Sequence, residues 1–520
     1  MKKHIFLILI FVGLSNCAYW AQIINYTSSE PFVGHRFGAL VPGEDTYFYT
    51  LAYKRINIAY SFPMFRKYMG NELVKQVPVV YSADADNEID REFFRFQDLL
   101  VLQTESTQFG KHDIFLYTTD LELTQQSNKI SAINISLKSS EHLDCTGYTF
   151  DQDSTHLIIY ALVEDVLNRS FRMYHSIFDQ EMNQLESGSQ QFIFPSDHTK
   201  LHSVHLSKDN HMLAVFQSYL YHPLQFRIRR DNPPTFYLVD LRKPRGNTIL
   251  LKLEGKEVLD IVVHPLGNQN WLVSGSWIKK SNQESGIFSM TFNSQENVYF
   301  NEYLWSYFKT AQVSSIGGQS HKANADEIIS TERSRLDNYI VHSFIPTKHG
   351  YIMVLEENFV NGVFIRHTRG GSLDNPIYYN NNILVTYFDK AGNLKMTHEI
   401  VKNMQQSNRR NATHSFAVFL NKDKLTFLFN DNTMNYNDSR FYNGRNVTTT
   451  IRKRNTVLAK VDLDIDLGTS KRTVLATQAE SKGFFLPNKS AISADQSHIF
   501  VVFHENLANQ MYRFGVFRLE

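Results

Sequence analysis

Histidines are the first residues of this chain whose type and spacing could do chemistry. His198, His202, His205 and His211 lie close together in the chain. Imidazoles hold a transition metal when two or three of them converge and further groups orient them. No H-E-x-x-H spacing occurs, and a turn into a strand is predicted between His202 and His205. Loop and core histidines explain the group better, so we predict no metal and no cofactor.

Two acidic stretches are the next candidates. Residues 84–90 read DADNEID, and carboxylate oxygens from a flexible loop are the ligands that calcium prefers. The stretch lacks the glycine and the distal glutamate of a calcium loop, which favours a solvated loop. Asp462, Asp464 and Asp466 alternate with apolar residues, which is typical of the wet face of an outer strand.

No catalytic motif can be assigned. Ser274-Gly275-Ser276 lacks the G-x-S-x-G frame of a nucleophile elbow, and no carboxylate pair can be given glycosidase roles without geometry. We therefore favour a protein that is not an enzyme. The alternative is a hydrolase or lyase that acts on polysaccharide or peptide at a central channel.

Aromatic residues in asparagine-rich loops suggest binding. Such side chains supply contact area for a protein or a glycan, and the alternative is that they only pack their own loops. A third hypothesis is a structural component of a cell-envelope complex. The candidate binding-loop residues are Tyr378, Tyr379, Tyr436, Phe441 and Tyr442.

Composition limits the partners. The 520 residues carry 53 basic and 52 acidic side chains, so the net charge is +1 and gives no electrostatic case for nucleic acid or an anionic membrane. The hydrophobic fraction is 42%, which is ample for a core. We predict an unknown protein or glycan partner.

The amino terminus predicts export. Lys2 and Lys3 precede an apolar run at 5–14, which is typical of a secretory signal peptide cleaved within 16–21. No later stretch approaches the ~18 apolar residues of a membrane-spanning helix. We expect residues 1–17 to be the signal peptide, and the protein to lie in the periplasm, at the cell surface or outside the cell.

The two cysteines have separate interpretations. Cys17 follows Leu14-Ser15-Asn16, which allows lipidation, although ordinary cleavage nearby is the alternative. Only lipidation at Cys17 would attach the chain to a membrane. Cys145 remains without a disulfide partner, and we expect a buried small hydrophobe there.

A recurring phrase reveals the elements that must position any site. It has a short apolar entry, a polar turn and a β-rich run, and it alternates with a second phrase of strand, Asp- or Asn-centred turn and weaker strand. Such repeats predict a single all-β domain built as a β-propeller. Copies of the first phrase read FDQDSTHLIIYAL from Phe150, HLSKDNHMLAVFQS from His205 and AISADQSHIFVVFHE from Ala491.

Together the phrases predict antiparallel units near 40–80, 95–132, 148–194, 204–252, 259–300, 341–401 and 415–477, with a half unit at 491–520. We predict about seven blades, with six to eight possible, in a domain covering 23–520. A strand from 25–41 would complete the half unit and close the ring. Residues 301–338 break the β pattern and predict a partly helical insertion.

The region 380–435 contains an Asp389-Lys390-x-Gly392 turn followed by Lys402 and later by Phe429-Asn430-Asp431. In these residues it resembles a group of secreted β-propeller-like proteins of Bacteroidetes whose function is unknown. The resemblance covers about a hundred residues, and it departs from the group's pattern at His349 and Met396. It implies an exported bacterial propeller and adds no catalytic residue. The matching residues are Gly350, Glu356, Asp389, Lys390, Gly392, Leu394, Ile400, Lys402, Gln405, Phe429, Asn430, Asp431 and Asn435.

Overall fold

The structure is a computed structural model. It describes residues 25–26, 37–55, 61–79, 81, 88–108, 110–124, 128–195, 198–219, 233–242, 248–279, 284–306, 338–367, 370–407, 415–450, 455–506 and 511–519. The predicted signal peptide with Cys17, residues 84–87 of the acidic stretch and most of the predicted insertion lie outside this part.

The strands form eight antiparallel sheets, each a blade of four strands or more. Blade 1 contains β2 Phe37–Pro42, β3 Tyr47–Arg55, β4 Ser61–Met69 and β5 Glu72–Pro78. Blade 2 contains β6 Glu88–Phe96, β7 Leu99–Gln108, β8 Lys111–Asp120 and β9 Asn128–Ser136. Blade 3 contains β10 Glu141–Phe150, β11 Leu157–Asp165, β12 Ser170–Phe178 and β13 Gln184–Ile193. Blade 4 contains β14 Thr199–Leu206, β15 Met212–Ser218, β16 Thr235–Asp240 and β17 Thr248–Leu250.

The remaining blades follow the same order. Blade 5 contains β18 Glu257–Gly267, β19 Asn270–Lys279, β20 Glu284–Asn293 and β21 Val298–Ser306. Blade 6 contains β22 Tyr339–Thr347, β23 Gly350–His367, β24 Gly370–Asp389, β25 Leu394–Ile400 and β26 Met404–Ser407. Blade 7 contains β27 Ala417–Asn421, β28 Lys424–Asn432, β29 Thr456–Asp464 and β30 Thr469–Thr477. Blade 8 contains β31 Phe484–Phe485, β32 Ala491–Ile492, β33 His498–Asn506, β34 Met511–Arg518 and the amino-terminal β1 Asn25–Tyr26.

The β-propeller prediction is confirmed, with eight blades at the upper end of the expected range. The half unit closes the ring as expected, because β1 pairs with β34. Of the described residues of the predicted donor segment, Asn25–Tyr26 joins blade 8, whereas β2 is the first strand of blade 1. The seam between blades 8 and 1 is aromatic: the Phe48 ring lies 5.2 Å from Phe500 and 5.3 Å from Phe514.

The first recurring phrase is the turn from the first to the second strand of a blade. A side-chain oxygen at its start accepts a backbone hydrogen bond from its end. Asp151 accepts from the N–H of Thr155 at 2.6 Å, Ser207 from His211 at 2.9 Å, and Ser493 from His498 at 2.9 Å. The residue at the tip takes a positive φ, and in these three blades it is Ser154, Asn210 and Gln496.

The second phrase is the turn from the third to the fourth strand. Its Asp or Asn accepts a turn N–H, as in Asp179 from Asn183 at 2.7 Å and Asp389 from Asn393 at 2.9 Å. Asp464 does the same in blade 7, so the chain turns there. Leu467, one of the apolar residues that alternate with Asp462, Asp464 and Asp466, is 73% exposed in that turn.

The core lies between blades, on the second and third strands. In β11, Leu157 and Ile159 pack towards blade 2, whereas Ile158 and Leu162 pack towards blade 4. Successive residues of a strand point to opposite faces, so a strand buried on both faces reads as a continuous apolar run. Each fully buried Leu or Ile contributes about 1.5–3 kcal/mol.

The first strands contact one another around a central channel, and they carry a recurring β-bulge. In blades 2 to 6 the register of the first strand shifts at its third or fourth residue. A bulge adds one unpaired residue and re-aims its neighbours. The added residues are Arg91, Asp144, His202, Leu259 and His342.

The predicted helical insertion is corrected at its start. Residues 301–306, predicted as the beginning of the insertion, continue β21 and pair with β20. Residues 307–337 lie outside the described part. Within that part, no helix has the length and apolarity that crossing a bilayer requires.

Blades 7 and 8 share a buried side-chain-to-backbone bridge that should be costly to remove. The Asn430 amide donates to the Phe485 carbonyl at 2.8 Å and accepts from the Phe485 N–H at 3.1 Å. We expect Asn430→Ala to destabilise the protein by about 2–3 kcal/mol, because both backbone groups lose a buried partner. Urea unfolding would measure the loss. Asn134→Ala, which removes one exposed bond to Ser131, is the control and should cost under ~0.5 kcal/mol; equal losses would contradict this account.

Candidate functional site

A cavity of about 400 Å³ opens beside the channel, where blades 8, 1, 2 and 3 meet. It lies next to the seam that closes the ring, so its walls come from both ends of the chain. Four of its lining side chains are ionisable acids or bases, while an aromatic and aliphatic wall completes it. The lining residues are Leu40, Leu51, Asp90, Arg91, Glu92, Phe93, Tyr148, Asn488, Lys489 and Ser490.

The bulge in β6 explains why three consecutive charged residues share this cavity. In a regular strand Asp90 and Glu92 would point one way and Arg91 the other. The register between β6 and β7 shifts between Asp90 and Glu92, which leaves Arg91 unpaired on the bulge. All three side chains line the cavity as a result.

Glu92 and Lys489 interact across the cavity. Lys489 is the last residue of a 3₁₀ turn in blade 8, and Glu92 lies on blade 2. Blade 1 lies between these two blades, so the interaction connects blades that are not adjacent. Burial raises the pKa of the Glu92 carboxyl, and Lys489 opposes that rise. Burial lowers the pKa of the Lys489 amine, and Glu92 opposes that fall. Glu92 is exposed to solvent and Lys489 is half-buried, so these shifts towards the neutral forms are those of partly solvated groups.

The neighbouring charges of the cavity are held by partners. The Tyr81 hydroxyl donates to the Asp90 carboxylate. Arg91 donates through Nε to Glu105 at 2.7 Å, and Glu105 also accepts from Thr146 of blade 3. Because Glu105 engages only Nε, the rest of the half-exposed Arg91 guanidinium is available to the cavity.

The wall behind Glu92 contains an unsatisfied amide. Gln103 pairs directly with Glu92 in the β6–β7 ladder and is fully buried, yet neither its oxygen nor its nitrogen has a hydrogen-bond partner among the described residues. A buried amide in this state requires a polar occupant nearby, such as water. Tyr148 forms the aromatic wall, stacked on Phe94 at 3.8 Å, and burial raises the pKa of Tyr148 to about 12.

The predicted histidine group divides between the channel and a turn. His202 approaches Asp260 of blade 5 at 3.3 Å, and His205 contacts Ser203 at 2.8 Å. His211 belongs to the turn that Ser207 organises, and His198 immediately precedes β14. In the described part of the chain, no three His, Cys, Asp or Glu side chains are placed to hold a metal.

Two further contacts between blades involve Asp260 and a histidine of blade 5. Asp260 also accepts the Val341 N–H of blade 6 at 2.9 Å, and Gln152 of blade 3 lies 3.0 Å from His264 of blade 5. Burial lowers the pKa of His205 to about 3 and that of His264 to about 4. These imidazoles are therefore neutral near neutral pH.

The residues that carry the sequence resemblance build a buried charge network. Glu356 accepts from Lys402 at 2.6 Å, from Asn380 at 3.1 Å and from Ser415 at 2.9 Å. Glu356 and Lys402 are each 1% exposed. Since Ser415 precedes blade 7, the pair ties the end of blade 6 to the start of the next blade.

The second half of this network surrounds Asp431. Its carboxylate accepts from Tyr436 at 2.5 Å, from Asn435 at 2.9 Å and from Arg472. Arg472 also donates to the Val401 carbonyl at 2.5 Å, next to Lys402. Every charge is paired and hydrogen-bonded, which is the arrangement of a structural ion-pair network rather than of a reactive site.

The aromatic residues predicted to bind a partner occupy different environments. Tyr436 is buried at Asp431, and the Arg472 guanidinium lies 4.3 Å from the Tyr442 ring, so these two anchor their loop. Phe441 is 41% exposed. Tyr378 and Tyr379 are half-buried on β24. Whether Phe441, Tyr378 and Tyr379 contact a partner stays a prediction.

The acidic stretches have structural roles where they are described. Glu88 and Asp90, at the end of the 84–90 stretch, belong to β6, and Glu88 accepts from Tyr117 and Lys129. Asp462 accepts from Thr426 at 2.8 Å, and Asp464 organises its turn. Sequence reasoning missed Glu92 and Lys489. Its one available signal was the charged triplet at 90–92 just before an apolar run.

The fold and the cavity define an eight-bladed β-propeller with a polar cavity beside its channel. No family model matches the chain, and no curated protein matches it. Solved structures are similar at low TM-scores. The Nup133 β-propeller domain of Vanderwaltozyma polyspora has a TM-score of 0.36 at 10% identity, covering 83% of this chain and 100% of that one.

Two further structures are similar at the same level. The α-L-arabinanase of Penicillium chrysogenum has a TM-score of 0.29 at 8% identity, covering 73% of this chain and 97% of that one. A protein of unknown function from Dyadobacter fermentans has a TM-score of 0.27 at 7% identity, covering 74% and 96%. Such similarities carry no argument about activity, which must come from the cavity itself.

The channel histidines predict acid sensitivity. The pKa values of His205 and His264 are lowered to about 3 and about 4, whereas the unfolded chain titrates near 6.5. The unfolded state therefore binds more protons as the pH falls, and stability falls with it below about pH 6.5. We expect a loss on the order of 1 kcal/mol per histidine between about pH 7 and pH 5. Denaturant midpoints at both pH values measure it.

The matched variants are the double substitution His205→Gln with His264→Gln and the exposed control His349→Gln. The double variant should reduce the pH dependence, while the control should keep it. An unchanged slope in the double variant would show that other groups cause the acid sensitivity.

In the buried network, the stability lost on removing Lys402 should depend on whether Glu356 is still charged. Lys402→Met leaves Glu356 buried without its counter-charge and should cost about 3–5 kcal/mol. Adding Glu356→Gln removes the orphaned charge and should restore at least half of that loss. Lys395→Met, which breaks a largely exposed pair with Asp389, should cost under ~1 kcal/mol. Calorimetric unfolding of the two single variants and of the double variant would test this prediction. Additive losses of stability would rule out coupling between Lys402 and Glu356.

Proposed function

We propose that this protein is an exported β-propeller that binds a glycan in the cavity where blades 8, 1, 2 and 3 meet. The observation that carries the proposal is the grouping of Asp90, Arg91, Glu92 and Lys489 beside Tyr148 in one cavity of about 400 Å³. Pockets that combine an aromatic wall with a few convergent polar groups are typical ligand sites.

The chemistry of the lining suits a sugar. Sugars present hydroxyl groups that both donate and accept hydrogen bonds, together with apolar C–H faces. A carboxyl group, an amine and the amide of Asn488 supply donors and acceptors of both kinds. Phe93 and Leu51 extend the apolar wall. The volume lies within the ~300–1,000 Å³ range of small-molecule pockets.

The position of the cavity favours recognition of a chain end or a short oligosaccharide. Residues of the first strands of blades 1, 2 and 3 and of the 3₁₀ turn of blade 8 line it, and Lys489 interacts with Glu92 across it. The signal peptide expected from the sequence would bring the protein to extracellular glycans. Binding of a protein partner by loop aromatics such as Phe441, and a place in an envelope complex, stay predictions.

Hydrolysis of the bound glycan is the second candidate function. Asp90 and Glu92 both line the cavity, and burial raises the pKa of Glu92 as a general acid requires. The Tyr81 hydroxyl donates to the Asp90 carboxylate and fixes its position.

Filling the cavity should weaken binding. We expect titration calorimetry to detect at least one short oligosaccharide, and Ser490→Phe to weaken it about tenfold or more, because the ring occupies the ligand's space. Ser139→Phe, in an exposed turn after blade 2, is the control and should bind like the parent protein.

Product analysis of the same mixtures separates the two functions. Release of reducing ends that disappears in Glu92→Gln would establish hydrolysis, whereas binding without release supports a binding protein. Binding that Ser490→Phe leaves intact in a folded protein, or no binding by any oligosaccharide, would contradict the proposal.

A further inference from the structure

We propose that the glycan recognised in this cavity is acidic, and that its carboxylate lies between Lys489 of blade 8 and Arg91 of blade 2. This inference rests on the proposed function and names the ligand class of the same site. Both cationic side chains line the cavity, and they reach it from opposite sides of blade 1.

Two carboxylates at the site already have donors. Tyr81 donates to Asp90, and Glu105 accepts from Arg91 and Thr146. The third carboxylate, Glu92, interacts with the Lys489 amine. A cationic ligand would have to compete with these donors, so an amino sugar fits the cavity less well than a sugar acid.

The Arg91 guanidinium is suited to a second carboxylate. Its Nε serves Glu105, and the side chain is 48% exposed towards the cavity. A guanidinium has five N–H donors in a rigid fork, so one edge can hold Glu105 while the other meets a ligand. The bulge at Arg91 is what turns this side chain to the cavity.

The pair Glu92–Lys489 gives the site a proton-linked signature. Burial holds the pKa of the Lys489 amine low, and Glu92 is its main compensating charge. Burial also raises the pKa of the Glu92 carboxyl. A bound carboxylate favours the charged form of Lys489 and disfavours that of Glu92, and both effects raise a pKa. An acidic ligand is therefore bound with uptake of protons, whereas a neutral ligand is not.

The test compares matched disaccharides by titration calorimetry: a glucuronic-acid disaccharide, its neutral glucose counterpart and a glucosamine disaccharide. A dipeptide serves as a non-sugar carboxylate. We expect the acidic disaccharide to bind at least about tenfold more tightly than the others. Repeating the titration in buffers of different ionisation enthalpy should show net proton uptake with the acidic disaccharide and none with the neutral one, because burial lowers the pKa of Lys489 in the free protein.

Variants assign the effect to the two cations. Lys489→Met should weaken the acidic disaccharide about tenfold or more, and by a clearly larger factor than it weakens the neutral one, since the neutral sugar loses a hydrogen bond to the amine whereas the acidic sugar loses a charge-assisted one. Arg91→Gln, which can still donate to Glu105, should weaken it in the same direction. Lys424→Met, an exposed lysine of blade 7, is the control and should change neither.

The outcomes separate this inference from the proposed function. If neutral or amino sugars bind as well as the acidic one, or the dipeptide binds best, the acidic assignment is overturned; sugar binding that Ser490→Phe blocks would still support the proposed function. If no sugar binds, both fail. Circular dichroism confirms that each variant is folded, and Arg91→Gln provides the test if Lys489→Met is not.

Discussion

Closure of the ring is the constraint on which the rest of the structure depends. The central strands of each blade are apolar on both faces, so each blade needs a neighbour on either side. In β11 alternate residues belong to the cores shared with blades 2 and 4. At the seam where the ring closes, blades 8 and 1 must cover each other's apolar faces. The aromatic cluster around Phe48, Phe500 and Phe514 provides this packing. The two-residue strand β1 secures an edge that this packing has already positioned.

Closure also determines where polar chemistry can occur. Once the second and third strands are committed to the core, the outer strands face solvent and the first strands face the channel. Repeated bulges re-aim side chains there, and the channel collects Arg91, His202 and His342 as a result. Side chains of blades that are not adjacent can then interact: Lys489 of blade 8 interacts with Glu92 of blade 2, and Gln152 of blade 3 contacts His264 of blade 5.

Two lysine–glutamate pairs in this propeller illustrate the difference between scaffold and site. Lys402 and Glu356 are sealed in protein, and the remaining acceptor atoms of Glu356 are met by Asn380 and Ser415. Lys489 and Glu92 border a cavity, and burial shifts both pKa values towards the neutral form. In the first arrangement the polar atoms of Glu356 are already hydrogen-bonded within the protein, and the pair is closed to a ligand. The second has charge states that a ligand can change, which is why the proposed function is assigned to it.

The sequence by itself determined the repeat, the all-β class and the closure by strands from both termini. It could do so because these features depend on local order: period-two alternation, and Asp, Asn or Ser residues such as Asp151 and Asp389 that organise turns through nearby backbone. The motif around Lys402 and Asp431 was also visible, although its meaning as one buried network was not.

Only the tertiary structure decided the count of eight blades and the location of the cavity. The expected strand period placed Arg91 away from Asp90 and Glu92, and a one-residue bulge reversed that placement. Lys489 lies almost four hundred residues from Glu92 in the chain, so no spacing rule could join them. Their interaction exists because apolar packing between blades closes the ring, and that closure brings blade 8 to the far side of blade 1.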